Sequence, residues 1–208
     1  MKKSKRYLEI KGKIEDRTYS LDDSVNLIKD ISSAKFDESV EIHLMTNADP
    51  KNADEQLRTV ADLPHGTGKK VRVLVFAEGD AAVSAKEAGA DFVSDDEIVK
   101  NIEKGWQDFD VAIATPDQMS KIGKLGKFLG RKGLMPNPKT GTVVQPQNIS
   151  QAISASKKGR TEIKMDSASV IHFNVGKASF TPDQLIENTK SVIKTIFDSK
   201  PEGVKGRL

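Results

Sequence analysis

The sequence predicts an α+β outer domain interrupted by an inserted α/β domain with a Rossmann-like, mostly parallel sheet, in a two-domain hinged architecture. Three observations lead there. Residues 36–44 alternate apolar and polar side chains, as a half-buried strand does. Residues 71–76 are a near-continuous apolar run, and from there strands alternate with helices, the pattern of parallel βαβ units. Beyond Gly159 the alternating style returns. The boundaries follow: residues 1–66 and 159–208 form a discontinuous outer domain, and 67–158 the inserted one. A chain of 208 residues can hold two such cores without disulfide or metal staples.

Each element has its reason. The first dozen residues have no periodic core and read as a basic arm. Ser20 and Asp23 suggest a capping box, and Leu21, Val25, Ile28 and Ile31 mark a helix over 21–34. Phe36, Val40, Ile42 and Leu44 alternate with Asp37, Ser39, Glu41 and His43 in a strand. A short helix over 53–61 follows. In the insert, strands are expected at 71–76, 90–93 and 111–114, and helices at 80–88, 95–104, 119–129 and 150–157. Thr161, Ile163 and Met165 then alternate with Arg160, Glu162 and Lys164, and a polar turn leads into 170–175 as an antiparallel hairpin. Thr181 with Pro182 and Asp183 opens a last helix. Gly66 and Gly68 at one crossing, and Gly159 at the other, would permit a hinge.

Composition removes several functions. There is no cysteine, so disulfides, thiolate metal sites and cysteine nucleophiles are excluded. His43, His65 and His172 lack metal-ligand spacing, so no metal site is expected. No run of about 18 apolar residues occurs, so no membrane span is expected. The basic N-terminus lacks the apolar core of a secretory signal, and the expected location is the cytoplasm. A nucleotide-binding α/β enzyme is the natural alternative. However, the turn after residue 76 has one glycine and an acid where a pyrophosphate would sit, and no phosphate loop or GxSxG occurs. No catalytic constellation and no cofactor are expected.

Charge is segregated. The net charge is +3, yet residues 118–161 carry nine basic and no acidic side chains, and residues 51–117 carry eight and fourteen. Such a stretch suggests a polyanion partner, although a solvated lysine-rich connector has the same composition. Lys121, Lys124 and Lys127 recur every third residue and share roughly one helix face. Arg131 and Lys132 lie between Gly130 and Gly133, and Pro136 and Pro138 stiffen a loop ending at Lys139. A basic helix running into a rigid basic loop can track a phosphate backbone.

The run IGKLGKFLGRKGLMPNPKTGTV at 122–143 closely resembles the signature of the ribosomal protein L-one family. Lys35-Phe-Asp-Glu-Ser-Val40, Leu63-Pro-His-Gly-Thr-Gly68, Phe109-Asp-Val-Ala-Ile-Ala-Thr-Pro116, Ile171-His172 and Val175-Gly-Lys177 agree in order along the chain. The resemblance implies a monomer within the large ribosomal subunit, not an enzyme. It would bind stalk rRNA near the E site, assist movement and release of deacylated tRNA, and repress its own mRNA. An assembly factor of the same fold is the neighbouring alternative. The resemblance puts the main RNA surface at Lys35, Phe36, Ser39 and Glu41. In those roles lysine pairs with phosphate, phenylalanine stacks on ribose or base, serine bonds a 2′-hydroxyl, and glutamate accepts from an amine. By pattern alone Phe36 shares parity with Val40 and Ile42 and reads as core; the resemblance reverses that. Lys164 and His172 match basic family positions, and Arg160 with Glu162 shares the polar face of Lys164. For His172 a locally satisfied strand histidine and an RNA contact both remain open. The chain has Arg131-Lys132 where the family has Pro-Arg, which suggests a more flexible loop. Family members also continue past residue 208 with a closing strand and a Thr-Met-Gly turn that contacts RNA, so the resemblance implies either a truncated sequence or a reduced affinity, and a missing strand would leave an open sheet edge in the outer domain.

Overall fold

A computed structural model describes residues 4–52 and 54–200. Helices α1 (Lys5–Lys13) and α2 (Leu21–Ile31) come first, then strands β1 (Ser39–Met45) and β2 (Arg58–Asp62). Next are β3 (Val73–Phe76), α3 (Asp80–Glu87), β4 (Phe92–Val93), α4 (Asp96–Glu103) and β5 (Val111–Ala114). Short helices α5 (Met119–Gly123) and α6 (Gly126–Leu129) precede α7 (Ile149–Lys158). The chain returns through β6 (Arg160–Lys164) and β7 (Val170–Lys177) to α8 (Pro182–Asp198).

The strands form two kinds of sheet. β7 pairs antiparallel with β1 and β6 with β2, and a single antiparallel bridge between Met165 and Ile171 joins the pairs across the β6–β7 hairpin. The other sheet is parallel, in the order β4-β3-β5. All four β3 side chains are buried because both faces are covered. Leu74 and Phe76 join Ile102, Ala112, Ile122, Leu125 and Leu129 on one face, while Val73 and Val75 join Ala85, Ile113, Ile149 and Ile153 on the other. The antiparallel strands have a core of their own, from Val25, Val40, Ala61, Ile163, Ile171, Phe173, Leu185, Val192 and Ile196, with α2 and α8 as its lid. Ser20 caps α2 by accepting from the Asp23 N–H, and Thr181 and Gln184 form a reciprocal capping box on α8. Among the described residues no helix is long and apolar enough to cross a membrane.

Four expectations need correction. The arm at residues 5–13 is helical, capped by Ser4, which accepts from the Tyr7 N–H. Of the helix expected at 53–61, residue 53 lies outside the described residues, and 54–61 are instead a polar turn followed by β2. Asn52 and Glu55 bond one another, the Asp49 N–H donates to Glu55, and pairing with β6 captures residues 58–62. Tertiary pairing there outweighs the modest helix propensity of Asp54-Glu55-Gln56. The first strand starts at Ser39, so Phe36 lies in the bend before it. The helix expected over 119–129 breaks into α5 and α6 at Lys124 and Leu125, so Lys121, Lys124 and Lys127 do not ride one helix face.

The two chain crossings touch. A Cβ on Gly159 would fall 2.4 Å from the Gly66 Cα, and φ at Gly159 is 113°. Only glycine meets both conditions. Asn188 of α8, fully buried, fastens the same spot: its Nδ2 donates to the carbonyls of Gly66 and Val175, and its Oδ1 accepts from the His65 N–H. Gly68 also has positive φ.

Candidate nucleic-acid interface

Lys35 and Phe36 form the tip of a bend between α2 and β1. The phenyl ring is 73% exposed, which rules out a core role. Its position is nevertheless fixed by the two acids that follow. The Glu38 carboxylate accepts from Ser32 Oγ at 2.5 Å, Arg6 Nη2 at 2.7 Å and the Ala34 N–H at 3.3 Å. Those bonds, the Ser32 hydroxyl first and then Arg6, hold its pKa down at about 2. Asp37 accepts from the backbone N–H and the hydroxyl of Ser179, at 3.0 and 2.8 Å. The Ala178 N–H closes the seam by donating to the Glu38 carbonyl. An exposed aromatic on a bend tied at both flanks is a presented surface, since nothing in the core requires it there.

From the tip, alternate residues of β1 point to one open face: Ser39, Glu41, His43 and Met45 are all exposed. Ser39 Oγ accepts from Lys177 Nζ at 2.8 Å, whereas Glu41 has no partner among the described residues. His43 stands opposite His172 in the ladder, with Nδ1 atoms 2.6 Å apart, so one ring accepts and the other donates. His172 Nε2 lies 3.3 Å from Asp166, whose carboxyl is held below its usual range by the N–H groups of Val170 and Ala168. On β6, Lys164 is exposed with no ionic partner among the described residues, across from Arg58, which pairs with Glu162 at 2.6 Å. The open face is therefore polar, with hydroxyl, imidazole, carboxylate and ammonium groups beside two exposed apolar side chains, Phe36 and Met45. Double-helical RNA grooves and splayed bases offer complementary groups.

Arg160 follows the strand parity of Lys164 yet turns inward. Its guanidinium packs over Gly141, where a Cβ would fall 2.9 Å from Nη2, and its Nε is buried without a partner. It lines a cavity of about 230 Å³ with Val60, Asp110, Thr140 and Ser156. The exposure expected from the pattern thus holds for Glu162 and Lys164 and fails for Arg160, because the loop 137–142 covers that end of β6.

The basic segment is a second surface. Lys121 is tied to Glu78, and that bond lowers the pKa of Glu78 and raises that of Lys121. Lys124, Lys127, Arg131, Lys132 and Lys139 are exposed, without ionic partners among the described residues. Arg131 and Lys132 sit in a tight turn ended by Gly133 at φ 70°, and Lys139 in the turn after Asn137. Among the described residues no three His, Asp or Glu side chains could hold a metal ion.

Sequence reasoning overlooked Arg6, Asp37, Glu38, His43 and Asn188. His43 has the strand parity of Ser39 and Glu41, and Asn188 interrupts the apolar stripe of Leu185, Thr189 and Val192, a sign of a buried polar anchor. For Arg6 no sequence signal exists.

Comparison with known proteins identifies the family. The model of the ribosomal protein L1p/L10e family matches residues 28–207. A large ribosomal subunit protein uL1 from Kosmotoga olearia is 51% identical over 209 aligned positions, spanning all of this chain and 89% of that protein. The uL1 of Fervidobacterium nodosum is 53% identical, over 100% of this chain and 88% of its own. One from Dehalococcoides mccartyi is 54% identical, over 93% and 81%.

Proposed function

The chain belongs to the ribosomal protein L1p/L10e family, and from that premise we propose that it is a non-catalytic constituent of the large ribosomal subunit in the cytoplasm. It binds the stalk region of large-subunit rRNA through the open face of the antiparallel strands. The observation that carries this reading is the Lys35–Phe36 tip: an exposed aromatic ring, fixed by Asp37 and Glu38, beside a lysine with no ionic partner among the described residues. Phe36 stacks on a base or ribose, Lys35 neutralises a phosphate, and Ser39, Glu41, Lys164 and His172 bond sugar and base edges. Arg160 acts from the cleft, where it meets the loop 137–142, and not from the open face.

The division into an outer domain, 1–66 with 159–208, and an inner one, 67–158, belongs to the same proposal. The inner domain presents Lys121, Lys124, Lys127, Arg131, Lys132 and Lys139 to RNA that passes the stalk, including deacylated tRNA at the E site. Gly66, Gly68 and Gly159 serve as the hinge, with Asn188 fixing its axis. A like RNA fold in the protein's own mRNA would occupy the same face and repress translation.

The test is assembly. Large subunits lacking their L1-family protein are mixed with the labelled chain and sedimented, with Phe36→Ala alongside. Stoichiometric co-sedimentation of the wild type, weakened for the variant, is expected. Association only with precursor particles would make the chain an assembly factor, and no RNA-dependent association would overturn the reading. A narrow interdomain distance distribution, the same free and RNA-bound, would remove the hinge.

A further inference from the structure

Helix α1 has no buried side chain. A nine-residue helix is marginal alone in water, so something other than a core keeps it in place. Arg6 provides the tether: its Nε donates to Ser33 Oγ at 3.0 Å and its Nη2 to Glu38 at 2.7 Å. Ser33 and Glu38 are the two flanks of the Lys35–Phe36 tip, so the helix is moored to the element proposed to read RNA. Its other cations, Lys5, Lys11 and Lys13, are exposed and have no ionic partner among the described residues, and Glu9 is its one acid. Leu8 and Ile14 stay about half exposed.

We propose that α1 is a third part of the RNA surface: a basic arm that lies against the strand running past Phe36, with Lys5, Lys11 and Lys13 on its backbone phosphates. The inference rests on the RNA-binding reading given above. Charge decides the class of partner, since three free ammonium groups on a helix beside an RNA-reading tip match a polyanion. Continuity decides which one: Arg6 joins the helix to both flanks of the tip, Ser33 and Glu38, which puts the helix beside the path of an RNA strand that passes over the ring. Arg6 itself is consumed by the mooring and is a positioning residue.

The experiment uses the full chain and a stalk rRNA fragment, with binding measured across a salt titration and backbone protection mapped by hydroxyl radicals. The variants are Lys5→Gln/Lys11→Gln/Lys13→Gln together, Arg6→Ala, and Phe36→Ala as reference. The triple variant is expected to flatten the log–log salt slope by about 2, at roughly 0.7–0.9 per phosphate released. It should also erase protection next to, and not at, the nucleotides lost with Phe36→Ala. Arg6→Ala should blur that same protection although all three lysines remain. If Phe36→Ala weakens binding while the triple variant keeps slope and footprint, α1 is not an RNA contact and the open-face reading stands. If the wild type shows no salt-sensitive binding, both fall.

Discussion

The open face around Phe36 and the basic segment 118–161 both suit RNA, but in opposite ways. The first holds few cations, and its side chains are placed by hydrogen bonds: Glu38 and Asp37 fix the tip, Lys177 holds Ser39, and His43 and His172 bind each other. The second holds many cations and little else; of the six named on its helices and turns, five have no ionic partner among the described residues and Lys121 pairs with Glu78, while Lys157, further along, pairs with Asp91. Fixed groups discriminate between RNA shapes, whereas free ammonium groups attract any phosphate chain. Charge counting alone points to the second region, and the geometry makes the first the better candidate for specific recognition.

The largest effect should come where the two regions join. Gly159→Ala adds a Cβ against the Gly66 Cα at φ 113°, so it should destabilise the fold by about 3 kcal/mol, from backbone strain together with displacement of the neighbouring chain. Thermal unfolding reads this, and an unchanged midpoint would show that the crossings are not locked together. Phe36→Ala comes next. Base–aromatic stacking is worth about 1–3 kcal/mol, so affinity for stalk rRNA should fall roughly 5- to 150-fold, while stability stays within about 0.5 kcal/mol because the ring is exposed.

Replacing Lys124, Lys127, Arg131 and Lys132 with Gln should act on salt dependence. If the segment touches RNA, the slope should flatten by up to about 3, at roughly 0.7–0.9 per phosphate. A smaller effect concerns acid. The pKa of Glu38 lies below its ordinary value in the folded chain, so its tethers are intact above the ordinary carboxylate range. They are lost as pH falls from about 4.5 towards about 2. Protection of the Ala34 amide, which donates to that carboxylate, should fall in this window when exchange is taken relative to its intrinsic rate, and Glu38→Gln should show the lower protection at neutral pH.

Much of this was legible in sequence where local pattern and final packing agree. The unbroken apolar run at 73–76 announced a strand buried on both faces, and Thr181-Pro182 announced the start of α8. Long-range partners were not legible. The segment before β2 reads as helix until β6 is there to pair with it. Phe36 has the parity of a core residue until the strand is seen to begin at Ser39, three residues later. Arg160 keeps the parity of Lys164, but a loop some twenty residues upstream covers it. The site residues at 35–41 followed from family resemblance, whereas the acids that hold the tip depend on Ser179 and Arg6, distant in sequence.

The most direct test of the contrast is a specificity ratio: affinity for the stalk rRNA fragment over affinity for an unrelated RNA duplex of equal length, at one salt concentration. It is measured for the wild type, Phe36→Ala and the four-cation variant. The account predicts that Phe36→Ala lowers the ratio about tenfold or more, in line with stacking energies. The four-cation variant should weaken both affinities and leave the ratio within about twofold, as backbone contacts carry no sequence information. A ratio that collapses in the four-cation variant and survives Phe36→Ala would place recognition on the basic segment and contradict the account.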